Sequence, residues 1–349
     1  MTSHVSADCA TCGAVAPKKC GGCKTSAYCS EECQLKDWSM HKVACKDLQL
    51  DKQLSRVAEI AHQAYLTFRE DTWDTPIVKI EDTEDALVTY DGDQTLNKNY
   101  FVDFPHYLIK NQRVKMAVLC MLVCNEPLAW MHRLIEALVK DLRVHVDEID
   151  FTLRSIPRKT IAVHPDGYRH ANWPTYTHAL IRFTSIKTKN QWALDLGGGQ
   201  YGICSPFWKW RDYTTCFVDT KKAIKVTPFG TTKVSFEVLG KVDGNPSLTY
   251  GMMGEVAEVI NPAITKLEKA ESFAGSKLVS EQDTKVYQER KVALLKALHD
   301  VVRRCVKTGD FKDKIRAAKA FERRFPGRSS TTVTEASKTF YDKYPAIME

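Results

Sequence analysis

The chain has 349 residues, which is enough for a small module plus one large domain or two modest ones. Hydrophobic residues make up 44% and charged residues 27%, a balance that excludes a wholly disordered chain. The formal net charge is +7, and residues 263–349 alone carry 19 Lys and Arg against 12 Asp and Glu, so any electrostatic role belongs to the C-terminal part.

Neither a membrane span nor a secretory signal is apparent in the sequence. No run of 18 apolar residues occurs, and residues 1–10 lack a charged start followed by an apolar core. The sequence therefore predicts an intracellular protein of the nucleus, the cytoplasm or both. Its clustered cysteines then favour reduced, metal-bound thiols over disulfides.

Residues 9 to 45 hold seven of the twelve cysteines and one histidine. Their spacing, C-x2-C-x7-C-x2-C-x5-C-x3-C-x7-H-x3-C, lets pairs of thiolates converge on tetrahedral zinc. We predict two zinc ions bound by Cys9, Cys12, Cys20, Cys23, Cys29, Cys33, His41 and Cys45. Because protein ligands fill every position, water and substrate have no place at the metal, and both ions are predicted to be structural.

This segment, CATCGAVAPKKCGGCKTSAYCSEECQLKDWSMHKVACK, resembles the MYND-type zinc finger. The resemblance implies an interleaved cross-brace, with Cys9, Cys12, Cys29 and Cys33 on one zinc and Cys20, Cys23, His41 and Cys45 on the other. The spacing alone leaves sequential pairing open. The family commonly binds proline-containing segments of regulatory proteins, and by analogy Gln34 and Trp38 would line the peptide groove; Trp38 filling the small core between the metals is the alternative.

The rest of the chain alternates between helical and strand-like patterns. Ser30 is a candidate cap for a helix that begins SEEC, and apolar residues at helical spacing predict further helices at 50–74, 114–124 and 128–146. Strands are predicted at 77–80, 86–90, 149–156, 178–183, 191–196 and 231–242. After Pro262 the pattern is charged and helical, with a break at 327–334.

These patterns predict an α+β fold in three parts. A small two-zinc module (1–46) precedes a mixed α+β domain (47–262), and a basic helical C-terminal region (263–349) follows.

An imidazole and a carboxylate, His178 and Asp195, fall on adjacent predicted strands, where they could form an oriented base. The pattern weakly resembles papain-like and transglutaminase-like cysteine enzymes, in which a cysteine at a helix start comes earlier in the chain. Cys120 and Cys124 come earlier, but within an apolar run rather than after a turn, and a buried apolar thiol is inert. The favoured alternative is that His178 and Asp195 are structural and both cysteines belong to the core. This alternative includes the case in which the chain has kept the fold of such an enzyme but lost its catalytic activity.

Two further motifs bear on the class of enzyme. The sequence GGGQYG lacks the Lys-Ser/Thr of a phosphate-binding loop, so Gly197 to Gly199 are predicted to supply positive φ at a turn.

Many MYND proteins are SET-domain methyltransferases, but the chain lacks the Asn-His-x-Cys and Cys-x-Cys-x2-Cys motifs of that class, and methyltransferase activity is not expected.

Residues 303–328 contain ten Lys and Arg against three acidic residues, with apolar residues at helical spacing. This tract predicts either a helix docked by its apolar stripe or, as the less favoured alternative, a contact with nucleic acid.

The sequence as a whole predicts a non-catalytic adaptor protein with two structural Zn2+ ions and protein partners bound through short linear motifs. A cysteine hydrolase or acyltransferase that uses His178 and Asp195 is the competing hypothesis.

Overall fold

The structure is a computed structural model that describes residues 7–93, 99–269 and 275–349. Its N-terminal module contains two short antiparallel pairs, β1 (Ala7–Asp8) with β2 (Val15–Ala16) and β3 (Lys18–Lys19) with β4 (Ala27–Tyr28). These strands lead into helix α1 (Glu31–Asp71).

Helix α1 is 41 residues long and joins the zinc module to the body. As predicted, the Ser30 hydroxyl caps it by accepting a hydrogen bond from the Cys33 amide at 3.3 Å. Its first turns are largely exposed, whereas Leu54, Val57 and Ile60 are completely buried in the main core. Because one uninterrupted helix spans both parts, the metal ligands near its start are tied directly to that core.

Polar contacts fix this helix on the body. Asp47 accepts hydrogen bonds from Thr188 and Asn190, each at 2.8 Å. One turn further on, Asp51 accepts a hydrogen bond from the Trp192 indole at 2.6 Å.

The larger sheet has six antiparallel strands in the order β12-β11-β10-β7-β13-β14. Their bounds are Val144–Phe151 (β7), His178–Ser185 (β10), Gln191–Leu194 (β11), Phe207–Lys209 (β12), Lys225–Pro228 (β13) and Ile347–Met348 (β14). The predicted pairing of the strands that carry His178 and Asp195 is confirmed, since β10 and β11 are neighbours. The C-terminal segment closes one edge of this sheet as β14.

The smaller sheet has the order β5-β6-β8-β9, with β6 and β8 parallel. Its strands are Ile77–Asp82 (β5), Ala86–Asp91 (β6), Lys159–Val163 (β8) and Arg169–Ala171 (β9).

Helices cover the sheets and form the C-terminal part. They are Gln112–Leu119 (α2), Glu126–Trp130 (α3), His132–Val139 (α4), Trp210–Phe217 (α5), Thr231–Leu239 (α6), Met253–Glu258 (α7), Ile260–Lys269 (α8), Gly275–Ser280 (α9), Thr284–Thr308 (α10), Lys312–Arg324 (α11) and Arg328–Lys343 (α12). Within the described residues no helix is both long enough and apolar enough to cross a membrane. The predicted order of zinc module, mixed helix and sheet, and helical tail is confirmed.

One strand prediction is wrong, because residues 231–239 form helix α6 rather than a strand. The alternating apolar residues of this stretch indicated a strand, but the Glu148 carboxylate from β7 caps the helix. It accepts hydrogen bonds from the amides of Gly230 at 2.7 Å and Thr232 at 2.8 Å. A cap supplied by a residue more than 80 positions away leaves no local signal in the sequence.

Other boundaries also differ: the helix predicted at 50–74 is part of Glu31–Asp71, and the strand predicted at 149–156 is Val144–Phe151. The stretch 128–146 is two helices followed by the start of β7, and the predicted core helix 114–124 ends at Leu119. The predicted break at 327–334 is confined to the residues before Arg328, where α12 begins.

Candidate functional site

Two clusters of metal-binding side chains lie in the N-terminal module. Cys9, Cys12, Cys29 and Cys33 form one, and Cys20, Cys23, His41 and Cys45 form the other, with all ligand atoms of each cluster within 4.8 Å of one another. The structure therefore has the interleaved arrangement.

The distances in the four-cysteine cluster fit a tetrahedral zinc. The Cys29 sulfur lies 3.5 Å from the sulfurs of Cys12 and Cys33, which are 3.9 Å apart. With Zn–S bonds of about 2.3 Å, a tetrahedron separates its sulfurs by about 3.8 Å.

The second cluster fits equally well. The sulfurs of Cys20 and Cys45 are 3.7 Å apart, and His41 Nε2 lies 3.4 Å from Cys20 and 3.6 Å from Cys23. A zinc-bound nitrogen and sulfur are expected to be about 3.6 Å apart. The eight side chains would thus hold two zinc ions, and with four protein ligands each, the ions would stabilise the fold rather than activate water.

Neighbouring groups support this second cluster. The Ser26 hydroxyl lies 3.4 Å from His41 Nδ1, and the Gln49 amide donates a hydrogen bond to the Cys45 sulfur at 3.2 Å. Gly22 allows this approach, because a Cβ there would lie 2.7 Å from the Gln49 amide nitrogen.

The predicted peptide-contacting residues lie one turn apart on α1. Gln34 is half-buried, and Trp38 is 41% exposed with its ring centroid 6.3 Å from that of His41. Leu35 and Met40 nearby are 74% and 80% exposed.

A second constellation lies in the large sheet. His178, the first residue of β10, and Asp195, which follows β11, are joined by a hydrogen bond of 2.9 Å between Nε2 and Oδ1. Both side chains are completely buried. Tyr213 donates a hydrogen bond to the second Asp195 oxygen at 2.8 Å, and the Gly197 amide donates one to Oδ1 at 3.2 Å. The carboxylate therefore fixes the orientation of the imidazole.

Burial and charge act in opposite directions on His178. Burial lowers the pKa of the imidazole, but the Asp195 carboxylate and the neighbouring Cys124 side chain outweigh that effect and raise its pKa to about 10. The imidazole is therefore charged at neutral pH.

Of the two candidate cysteines, the structure brings Cys124 to the histidine. Its side chain acts on the pKa of His178, while its thiol donates a hydrogen bond to the Thr177 carbonyl at 3.8 Å. His178 Nδ1 is the ring nitrogen that does not contact Asp195, and it is buried with no hydrogen-bond partner among the described residues. The expectation that Cys124 lies within an apolar helix is wrong, because α2 ends at Leu119 and Cys124 follows a turn, two residues before α3.

Cys120 has a different environment. Its side chain is completely buried and its thiol donates to the Leu196 carbonyl at 3.5 Å. Burial raises the pKa of this thiol far above its ordinary value. Cys120 therefore has the inert, structural character expected of a core cysteine.

A cavity of about 390 Å3 is lined by residues next to Cys124 and His178 in the sequence, but not by Cys124 or His178 themselves. Asn125 and Ala179, the sequence neighbours of Cys124 and His178, line it together with Leu128, Asp150, Tyr341 and Met348.

The glycine prediction is half right. Gly197 to Gly199 do form a turn, but none of them has positive φ. Close packing leaves little room for a side chain at these positions. A Cβ on Gly198 would clash with an Asp195 oxygen, and one on Gly197 would lie 3.1 Å from Cys124 Cα. Sequence reasoning also missed Tyr213 and Gln200, and the only signal for Gln200 was its place directly after the glycines.

The basic tract at 303–328 contacts the body through its apolar residues. Ile315 and Ala318 pack with Leu248 and Met252, and Ala318 is buried. The apolar side of α11 therefore packs against the body, as the favoured alternative predicted.

Comparison with known proteins places residues 9–45 in the MYND finger family. The zinc finger MYND domain-containing protein 10 homolog of Drosophila melanogaster is 62% identical over 37 residues, which are 11% of this chain and 8% of that protein. The SET domain and MYND-type zinc finger protein 6 of Schizosaccharomyces pombe is 35% identical over 74 residues, or 20% and 15% of the two chains. Ubiquitin carboxyl-terminal hydrolase 19 of Arabidopsis thaliana is 51% identical over 41 residues, or 12% and 6%.

In each case the similarity spans less than a sixth of the relative's length. No solved structure matches the chain. Family, ligand spacing and geometry agree for one segment: residues 9–45 are a MYND finger, a protein-interaction module that binds two zinc ions.

Proposed function

We propose that the finger recruits short proline-containing peptide segments of regulatory partners and that the chain acts as an adaptor. The exposed indole of Trp38 next to Gln34 supports this most directly. An extended proline-rich peptide loses little conformational entropy on binding, and an exposed aromatic side chain offers it an apolar edge.

Peptide-array binding, followed by titration of the best peptide, tests this role. Truncation of a central aromatic contact commonly costs about 2 kcal/mol or more, so Trp38→Ala should weaken binding by about 30-fold. The matched control is Tyr107→Ala, because Tyr107 is 81% exposed on the body. Equal binding by wild type and Trp38→Ala, or binding by neither, would refute the peptide surface.

We also propose a second function, cysteine-dependent acyl transfer or hydrolysis at Cys124, His178 and Asp195. A partly exposed thiol that acts on the pKa of a buried, carboxylate-oriented imidazole supports it. The thiolate would attack an acyl carbon and form a C–S bond while His178 protonates the leaving group. Water or an amine would then take the acyl group, regenerating the thiol.

A thiol-reactive probe at neutral pH tests this second function. Cys124 should be labelled and Cys120 should not, and His178→Ala should slow labelling of Cys124 by about tenfold or more, since the thiolate is the reactive form. Peptide mass spectrometry distinguishes these two cysteines from the exposed Cys204 and Cys216. Labelling of Cys124 that is unaffected by His178→Ala would contradict the acyl-transfer site.

A further inference from the structure

We propose that Gln200 is a positioning residue of the Cys124 site, holding the turn that carries the nucleophile at a fixed distance from the Asp195 turn. This rests on the second proposed function, since it concerns the same thiol. The residue lies in the 3-10 turn Gly198–Tyr201 and is buried.

The turn before Cys124 needs an external partner. Leu122 adopts φ of +61°, a left-handed conformation in which the Cβ of a non-glycine residue crowds the backbone. Its amide donates a hydrogen bond to Gln200 Oε1 at 3.0 Å. The side chain of Gln200 thus satisfies the amide of a strained residue two positions before the nucleophile.

The other end of the same side chain reaches the carboxylate turn. Gln200 Nε2 donates to the Gly197 carbonyl at 3.3 Å, and the Gly197 amide donates to the Asp195 oxygen that holds His178. Gly197 also lies against the backbone of Cys124, since a methyl group in place of its hydrogen would come within 3.1 Å of Cys124 Cα. The Gln200 side chain therefore connects the turn before Cys124 to the turn after Asp195, whose carboxylate holds His178.

Gln200 is itself held in place. The backbone carbonyl of Gln200 accepts a hydrogen bond from the fully buried Asn172 side chain at 2.9 Å. A rigid supporting shell of this kind is what keeps a nucleophile and its base in reacting geometry, and a displacement of about 1 Å can cost a factor of about 100 in rate.

The experiment measures alkylation of Cys124 by iodoacetamide against pH in the full-length, zinc-loaded protein, with peptide mass spectrometry as the readout. Gln200→Met keeps the volume of the side chain and removes both hydrogen bonds. It should slow alkylation at neutral pH about tenfold and displace the pH midpoint of alkylation from the wild-type value. Gln191→Met, at the start of β11, is the matched control and should behave as wild type. The titratable groups that face Cys124 and His178 are Asp195, Asp150, Tyr65, Tyr201 and Tyr213. Neither Gln200→Met nor Gln191→Met replaces any of them.

A folded Gln200→Met protein with the wild-type rate and midpoint would overturn the positioning role, because a purely structural residue would lower stability alone. If that variant does not fold, Gly197→Ala replaces it, since its Cβ would press on Cys124 and should give the same two changes. Wild-type labelling that is insensitive to His178→Ala would instead overturn the acyl-transfer site, and the positioning role with it.

Discussion

Removal of zinc should unfold the finger and unwind only the first part of α1. Three ligands, Cys33, His41 and Cys45, lie on this helix, and its residues before Leu50 contribute little to the main core. Structural zinc sites supply the folding free energy of modules this small. Without the metal, residues 31–45 should therefore fray.

The rest of α1 should remain helical. Leu54, Val57, Ile60 and Tyr65 are completely buried, and each such side chain contributes about 1.5–3 kcal/mol. The loss is then about 15 of roughly 155 residues in α-helices, so the ellipticity at 222 nm should fall by about a tenth.

Circular dichroism and hydrogen exchange during EDTA titration measure both parts. Protection should be lost at residues 7–45 and kept at 54–68. Cys45→Ser should reproduce the chelator's effect, whereas Cys216→Ser, at an exposed cysteine outside the clusters, should have none. A fall in ellipticity of a third or more, or loss of protection at 54–68, would refute independent stability of the two parts.

Three smaller perturbations test the core of the body. Tyr213→Phe removes a hydrogen bond to the buried Asp195 carboxylate and should cost about 1.5–3 kcal/mol in urea denaturation. The stability of wild type relative to His178→Gln should fall as pH rises from about 6.5 to about 10, by up to about 1.4 kcal/mol per pH unit, because the folded protein keeps a proton on this imidazole that the unfolded chain loses. Gly275→Ala places a Cβ close to the Ala137 carbonyl oxygen and should cost about 1–3 kcal/mol, measured by thermal unfolding.

Matched variants serve as controls for these measurements. Tyr107→Phe, at an exposed tyrosine, and Gly21→Ala, where a Cβ meets nothing within 4 Å, should each change stability by less than about 0.5 kcal/mol. A stability difference between wild type and His178→Gln that stays constant from about pH 6 to about pH 10 would contradict the charged imidazole.

The zinc finger could be predicted from the sequence because its chemistry is local. Thiolates such as Cys20 and Cys23 are brought to one metal by short spacings, and the tetrahedral geometry of zinc restricts which side chains can serve. The strands that carry His178 and Asp195 could also be predicted, since alternation over a few residues reports a half-buried strand.

The arrangement of the body was decided by contacts between distant segments. The Glu148 cap made a helix of residues 231–239 that alternate like a strand. The accessibility of Cys124 depends on where α2 stops, and the Gln200 hydrogen bond to Leu122 supports that turn from 78 residues away.

The sequence by itself determined a two-zinc finger and the strands bearing an imidazole and a carboxylate, because ligand spacing and strand alternation are encoded within a few residues. Only the tertiary structure decided that Cys124, and not Cys120, is the partly exposed thiol that acts on the pKa of His178. Backbone strain, caps and buried hydrogen bonds between remote residues control that outcome, and no local pattern records them.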